Sequence, residues 1–315
     1  MADARTIILH HYDSSPFSEK IRLALRIKNL AWASVEIPVI MPKPDVTCLT
    51  GGYRRTPVMQ IGADIYCDTS LILRELDQRF PLVPLALPGH EGIGAMAGAW
   101  ADRVWFQVSV GVIFGAIGDA VPDDFKKDRE ALSGRPFDTE AMKAAAPMLR
   151  DQWRGHLMWI EDRLAGGRGA GAGAYLIGHK PGLADVQAHM NIWFVRQALT
   201  DFVDSCFEEA PLTKAWFDRL GEEEGQTPEP LASGEAVEIA RAAGPRLAMA
   251  VVRAESQDLG PGDRVAVAPD DYGQDWVAGD LVHADEYRVT VRRRDERAET
   301  INVHFPRAGY LVRRV

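Results

Sequence analysis

The spacing of apolar and polar positions changes character twice along the chain. Thr6 to Tyr12, TIILHHY, is a β-rich run, and SEKIRLALRIKN after it sets Ile21, Ala24, Leu25 and Lys28 at helical spacing. ASVEIPV predicts a second strand, and TPVMQIG followed by DIYCD predicts a hairpin turning near Gly62 and Ala63. TSLILRELDQRF predicts a closing helix. The resulting order, β-α-β, an irregular stretch, then β-β-α, is that of a small α/β sandwich.

After the Pro-rich link FPLVPLALPG the period lengthens. Met142, Ala146, Leu149, Trp153, Leu157, Ile160 and Leu164 recur every three or four residues, the stripe of a helix in a bundle. GGRGAGAGA, 166–174, predicts a loop, because glycine loses the most conformational freedom on ordering. LADVQAHMNIWFVRQAL and LTKAWFDRL predict two further helices. A second link, GEEEGQTPEPLASGE, is acidic and aperiodic and places a boundary near Gly225 to Gly234. A short helix, EAVEIARAA, follows. From Asp263 the period becomes that of strands: DRVAVAP, WVAGDLVHA, YRVTVRRRD and TINVHF, with Ile301, Val303 and Phe305 alternating. Three units are therefore expected: α/β over 1–84, all-α over 90–225, and a small β-rich, barrel-like unit over 235–315, as suits a length of 315 residues.

Composition narrows the function. With 46% hydrophobic and 26% charged residues the chain has globular composition. A net charge of -9 argues against general nucleic-acid or anionic-membrane binding, which relies on clustered Lys and Arg. Cys48, Cys67 and Cys206 form no CxxC pair, and no His/carboxylate spacing matches a metal site, so neither a disulfide framework nor a metal is expected. MADARTIILHH lacks the basic start and long apolar core of a signal peptide, and no apolar run approaches the roughly 20 residues of a membrane span; a cytoplasmic location is expected.

The stretch YDSSPFSEKIRLAL raises the chemical question. Ser15 followed by Pro16 reads as an N-cap with Pro at N1, a purely structural role. Yet an α/β unit followed by an all-α bundle, with SSPFSEKIR after the first strand, resembles the glutathione transferase family over Thr6 to Gly221, its serine, omega and zeta-like members in particular. In its serine and cysteine classes a Ser or Cys opens the first helix, often followed by Pro and an aromatic. The resemblance puts Ser15 on that position with Phe17 as the aromatic; Ser14 is the adjacent alternative and Tyr12 a weaker one. It implies a thioredoxin-like glutathione-binding unit that activates the glutathione thiolate for attack on a small hydrophobic electrophile. Lowering a thiol pKa by about two units needs roughly 2.7 kcal/mol. A hydroxyl donated to a charged acceptor contributes about 1.5 to 3 kcal/mol, and a helix N-terminus about 0.3 to 1. The two suffice together, and capping and activation are compatible, since a hydroxyl that accepts from a backbone N–H still has its own hydrogen to donate.

RRTPVMQIGADIYCDTSLILREL resembles the family's second signature. Thr56-Pro57 falls where the family holds a cis proline, implying that the following residue, Val58, pairs with the cysteinyl backbone of glutathione. Asp68-Thr69 stands for the family's acidic-hydroxyl pair: Asp68 takes the glutamyl ammonium, and Thr69 with its backbone N–H takes the glutamyl carboxylate. Seen alone, Asp68 is a helix cap. Arg55 falls near the glycyl carboxylate, with Lys43 as another candidate; both also read as solvated surface cations. KPGLADVQ resembles the family's buried N-capping segment, with Asp185 retained and Gly182 in place of its Ser or Thr. Trp100, Trp105, Phe106 and Phe114 are candidates for the electrophile wall, though core packing claims most aromatics in a bundle. Cys67 could form a mixed disulfide with glutathione or be an inert buried thiol, and Arg292, Arg293 and Arg294 form either an anion patch or a solvated strand face. The family resemblance further implies a homodimer. Two other classes compete: a non-catalytic scaffold whose C-terminal β unit engages a partner, and thiol-disulfide exchange, which wants Cys where Ser15 stands.

Overall fold

The computed structural model describes residues 2–166, 173–246, 251–252 and 257–315. The first unit is β1 (Ile7–His11), α1 (Pro16–Ile27), β2 (Trp32–Glu36), α2 (Pro44–Thr50), β3 (Val58–Ile61), β4 (Asp64–Cys67) and α3 (Thr69–Arg79). β1 runs parallel to β2 and antiparallel to β3, and β3 turns back into β4 at Gly62 and Ala63. This is the expected thioredoxin-like unit, and the stretch left irregular by its sequence pattern contains α2.

The middle region is all-helical. α4 (Glu91–Ala99) passes through a π-helical segment, Trp100–Trp105, into α5 (Phe106–Ile117); then come α6 (Asp123–Ser133), α7 (Thr139–Leu164), α8 (Leu183–Ala198), α9 (Thr200–Glu209) and α10 (Pro211–Gly221). The stripe from Met142 to Leu164 lies on α7. α9 was not legible: TDFVDSCFEE is short, and it buries only Val203, Cys206 and Phe207. Of the glycine-rich run expected as a loop, 167–172 lie outside the described residues.

The last part holds β5 (Glu229–Pro230), α11 (Ser233–Ala243), β6 (Val251–Val252), β7 (Arg264–Pro269), β8 (Val277–Ala284), β9 (Arg288–Asp295), β10 (Glu299–Pro306) and β11 (Tyr310–Arg314). It is strand-rich as expected, and it is joined to the first unit edge to edge. Among the described residues the strands form one sheet in the order β11-β7-β8-β9-β10-β4-β3-β1-β2-β5, with β6 beside β8. β10 runs parallel to β4, pairing Asn302 with Asp64, Val303 with Ile65 and His304 with Tyr66. At the other edge β5, inside the acidic link, pairs with β2.

Burial explains why β10 can be a central strand. Ile301, Val303 and Phe305 face one core, as their alternation predicts, but Asn302 and His304 on the opposite face are buried as well. Buried polar groups need partners, and Asp64 Oδ1 supplies them, accepting from Asn302 Nδ2 at 3.1 Å and lying 3.0 Å from His304 Nε2. Two apolar cores flank the shared sheet. One joins Leu9, Met59 and Tyr66 to α1, α3 and the helical bundle. The other joins Ile8, Val35, Val58 and Ile65 to α2, α11 and strands β7 to β11.

Candidate functional site

Ser15 caps α1 in an extended conformation (φ -78°, ψ 119°), its Oγ accepting from the Ser18 backbone N–H at 3.1 Å, with Pro16 next in line. Ser15 is buried and Ser14 exposed. The acceptor role occupies a lone pair and leaves the Ser15 hydroxyl hydrogen free to be donated elsewhere. Phe17 meets Phe106 edge to face at 4.7 Å, and Phe106 stacks in turn on Phe194 at 5.9 Å. Phe106 is thus the one of the four expected wall residues that meets Phe17. Trp105 is core, stacked on Trp100 at 5.0 Å; Trp100 donates its indole N–H to His156 Nδ1 at 3.2 Å; Phe114 packs on Phe125 and Phe137.

α3 presents the second helix N-terminus. Asp68 caps it at φ +76°, a backbone region L side chains rarely adopt, and its Oδ1 accepts from Ser70 N at 2.9 Å and Ser70 Oγ at 2.6 Å. Thr69 is buried, and its Oγ1 accepts from Lys20 Nζ at 3.4 Å. Lys20, on the second turn of α1, is fully buried, ion-paired to Asp102 of the π-helical segment, and 5.2 Å from the Phe17 ring centroid. Burial pushes the Asp102 carboxyl up, with the Lys20 ammonium pulling the other way. Through Lys20 the two helix starts and the first bundle helix meet at one point. A cation near the positive end of a helix dipole runs against ordinary preference, and that was the one sign of Lys20 in the sequence.

The Thr56-Pro57 bond is cis. Val58 opens β3 between β1 and β4, in register with His10 and Cys67. β1 and β4 thus flank its main chain on both sides. Thr56 Oγ1 accepts from Lys43 Nζ at 3.2 Å. Lys43 is buried, and that burial, reinforced by the nearby Arg129 charge, pushes its ammonium down to about 8.

Arg55 points toward the C-terminal region. Its guanidinium pairs with Asp271 and donates to the Tyr272 carbonyl on the β7–β8 loop, and it lies 4.1 Å from the Tyr272 ring centroid. Neighbouring contacts join the same loop to the helical region, where Arg103 pairs with Asp270 at 2.7 Å. Tyr310, the first residue of β11, sets its hydroxyl 3.1 Å from Asp68 Oδ2 and 3.2 Å from the Tyr53 hydroxyl. None of these C-terminal residues was legible as part of the site, since Tyr310 stands 242 positions beyond Asp68.

Other polar, thiol and cationic groups have partners or surroundings of their own. His10 is buried with Nε2 2.8 Å from Gln60 Oε1, and His11 has Nε2 2.8 Å from Ser34 Oγ; burial pushes both imidazoles down to about 4. Cys67 is a free buried thiol pushed well above its ordinary range by desolvation. Arg293 donates to the Cys48 carbonyl at 2.6 Å and Arg292 to Asn302 Oδ1 at 3.1 Å, which leaves Arg294 exposed on that face. Among the described residues no helix is long and apolar enough to cross a membrane, and no three His, Cys, Asp or Glu side chains gather as a metal site.

Residues 9–84 match the family model for the glutathione S-transferase N-terminal domain. The chain is similar to a GST-like protein from Pseudomonas syringae, at 34% identity, with all of both chains covered and a TM-score of 0.80. It is similar in fold to a glutathione S-transferase from Rhodospirillum rubrum F11, at 19% identity over 69% of this chain and 88% of that one, TM-score 0.51. The glutathione transferase URE2P8 from Phanerochaete chrysosporium, a structure with oxidized glutathione, matches at 14% identity over 69% of this chain and 90% of that one, TM-score 0.53. No curated protein matches the chain.

Proposed function

Because this chain belongs to the glutathione S-transferase family, we propose that it binds glutathione at the starts of α1 and α3 and activates its thiol. In this reading the Ser15 hydroxyl donates to the glutathione sulfur, stabilising the thiolate. The thiolate attacks a small apolar electrophile seated against Phe17 and Phe106, a C–S bond forms, and the leaving group departs with its electron pair. Asp68 receives the glutamyl ammonium, and Thr69 with the α3 N-terminus receives the glutamyl carboxylate. Arg55 is held by Asp271, so the cation assigned to the glycyl carboxylate is Lys43 beside Thr56.

The observation that carries this reading is the convergence of the two helix starts, with Lys20 Nζ of α1 reaching Thr69 Oγ1 of α3 at 3.4 Å. Its test is the thiolate absorbance of bound glutathione as a function of pH. In Ser15→Ala the midpoint rises by about one to two units, while Ser14→Ala leaves it in place; an unmoved midpoint in Ser15→Ala refutes the role.

A homodimer belongs to the same reading, supported by the exposed Met96, Val104 and Trp159. Sedimentation equilibrium then gives twice the chain mass of 34.8 kDa. Three free cysteines suit a reducing, cytoplasmic setting.

One observation favours the second reading, a non-catalytic scaffold: the C-terminal region already engages both Arg55 and Asp68. Calorimetry separates the two, since a scaffold shows no saturable glutathione binding at millimolar concentration.

A further inference from the structure

We propose that Tyr310, delivered by the C-terminal strand β11, is a positioning residue for the glutathione site: its hydroxyl fixes the carboxylate of Asp68 to receive the ligand's ammonium. The inference rests on the glutathione reading above and assigns the strand-rich region a part in that site.

The hydrogen-bond inventory supports it. Asp68 Oδ1 already accepts twice, from the backbone N–H and hydroxyl of Ser70. Oδ2 has the Tyr310 hydroxyl at 3.1 Å, and a carboxylate offers about four acceptor positions. With three donors in place, one position on Oδ2 remains for a ligand N–H. Tyr310 has a single hydroxyl hydrogen and two oxygen neighbours, Asp68 Oδ2 and Tyr53 Oη at 3.2 Å. The charged oxygen is the stronger acceptor, so Tyr310 donates to Asp68 and Tyr53 donates to Tyr310. Burial holds both phenols well above their ordinary range, so both keep the hydrogens this relay needs.

The relay is also held rigidly. Tyr310 is paired with Pro269 across β11 and β7, and its ring packs on Phe305 at 5.7 Å, which in turn meets Tyr53 at 5.9 Å. The turn that aims it runs through Gly309 at φ +85°, where a Cβ would lie 2.6 Å from Arg103 Nη2. The Ser70 donors hold Oδ1 and the Tyr310 hydroxyl holds Oδ2, and a carboxylate fixed at both oxygens loses less entropy on binding a cation than one fixed at a single oxygen.

The experiment compares two ligands on two proteins by calorimetry: S-methylglutathione, and the same compound with hydrogen in place of its α-amino group. In the wild-type protein the amino compound binds more tightly, because only it reaches Asp68. Tyr310→Phe keeps the ring and its packing and removes the hydroxyl alone. The expected result is roughly a tenfold loss of affinity for the amino compound and no change for the deamino compound. Equal losses for both ligands, or an undiminished preference for the amino compound, overturn the positioning role. Tyr53→Phe, one step further out, reduces the same preference by a smaller factor; a larger effect there than in Tyr310→Phe also overturns the relay. Failure of the underlying reading looks different: the wild-type protein itself then binds neither ligand, or makes no distinction between them. Thermal unfolding of each variant, within a few degrees of wild type, confirms that the comparison is made on folded protein.

Discussion

At the scale of single residues the decisive quantity is charge taken out of water, and Lys43 is the clearest case. Arg54 and Arg129 share the single carboxylate of Asp128, at 2.6 and 3.3 Å, while among the described residues Lys43 has only neutral neighbours within contact, the Thr56 hydroxyl and the Tyr12 ring at 5.4 Å. Desolvation, with Arg129 nearby, brings its ammonium down to about 8, so the excess positive charge of this group falls from two to one as the pH rises through that value. A ligand carboxylate placed there favours the charged form. The sign follows: affinity for a carboxylate ligand is full below about 8 and falls as the pH rises through it. S-methylglutathione removes the thiol from the titration, and calorimetry across that range is expected to show the step in wild type. Lys43→Gln loses the step and weakens binding roughly tenfold on the acid side; identical profiles for the two proteins exclude Lys43 as the carboxylate partner. Among the sequence candidates, Ser15 and Asp68 were legible as helix caps because each sits at a helix start with its own local signature. Arg55 misled because charge alone does not say which neighbour claims it.

Elements were legible where one face is apolar and the other polar, and obscure where tertiary contacts decide. α1, α3, α7 and the β3–β4 hairpin announce themselves by period and turn residues. α2, α9 and β5 are short and owe their form to what they pack against. α8 shows a local departure with a tertiary reason. Gly182 stands where a hydroxyl residue completes a reciprocal cap, and a Cβ there would lie 2.9 Å from the Leu85 carbonyl, whose oxygen accepts from Leu183 N at 2.7 Å. With no side chain at Gly182, the side-chain part of the cap falls to Asp185. Fully buried, it accepts from Gly182 N at 2.9 Å, Leu176 N at 2.8 Å and the Trp216 indole at 2.7 Å. Asp185→Ala strands three buried donors at about 1 to 3 kcal/mol each, so a loss of at least about 3 kcal/mol in urea unfolding is expected. Gly182→Ser, which restores the usual residue, is expected to destabilise as well, since the space is occupied by main chain. A stabilised Gly182→Ser protein contradicts this account of the glycine.

The whole molecule is organised by the seam between β4 and β10. An open β4 would be an edge strand with unpaired backbone groups; here a strand some 240 positions later in the chain closes it, and Asp64 ties the two together through Asn302 and His304. The second core is shared, with Val58 and Ile65 of the first unit packed among Val291, Val303 and Phe305 of the last. The pattern of TINVHF marked a strand but could not mark its partner, because periodicity reports which face is apolar and carries no address for the neighbouring strand. Continuous hydrogen bonding and a shared core predict that the first and last units unfold together. Calorimetry should therefore show no separate transition for the strand-rich region, and the amides of Ile65 and Val303, side by side across the seam, should exchange at the same global limit. Asn302→Ala leaves Asp64 short of a buried donor, and its effect should cross the seam: protection falls at Val58 and Ile65 as well as within β10. If protection falls in β10 alone, or if the strand-rich region melts in a step of its own while the first unit keeps its exchange protection, the seam is a contact between independent units. Tyr310 would then be held beside Asp68 without the rigidity that its positioning role requires.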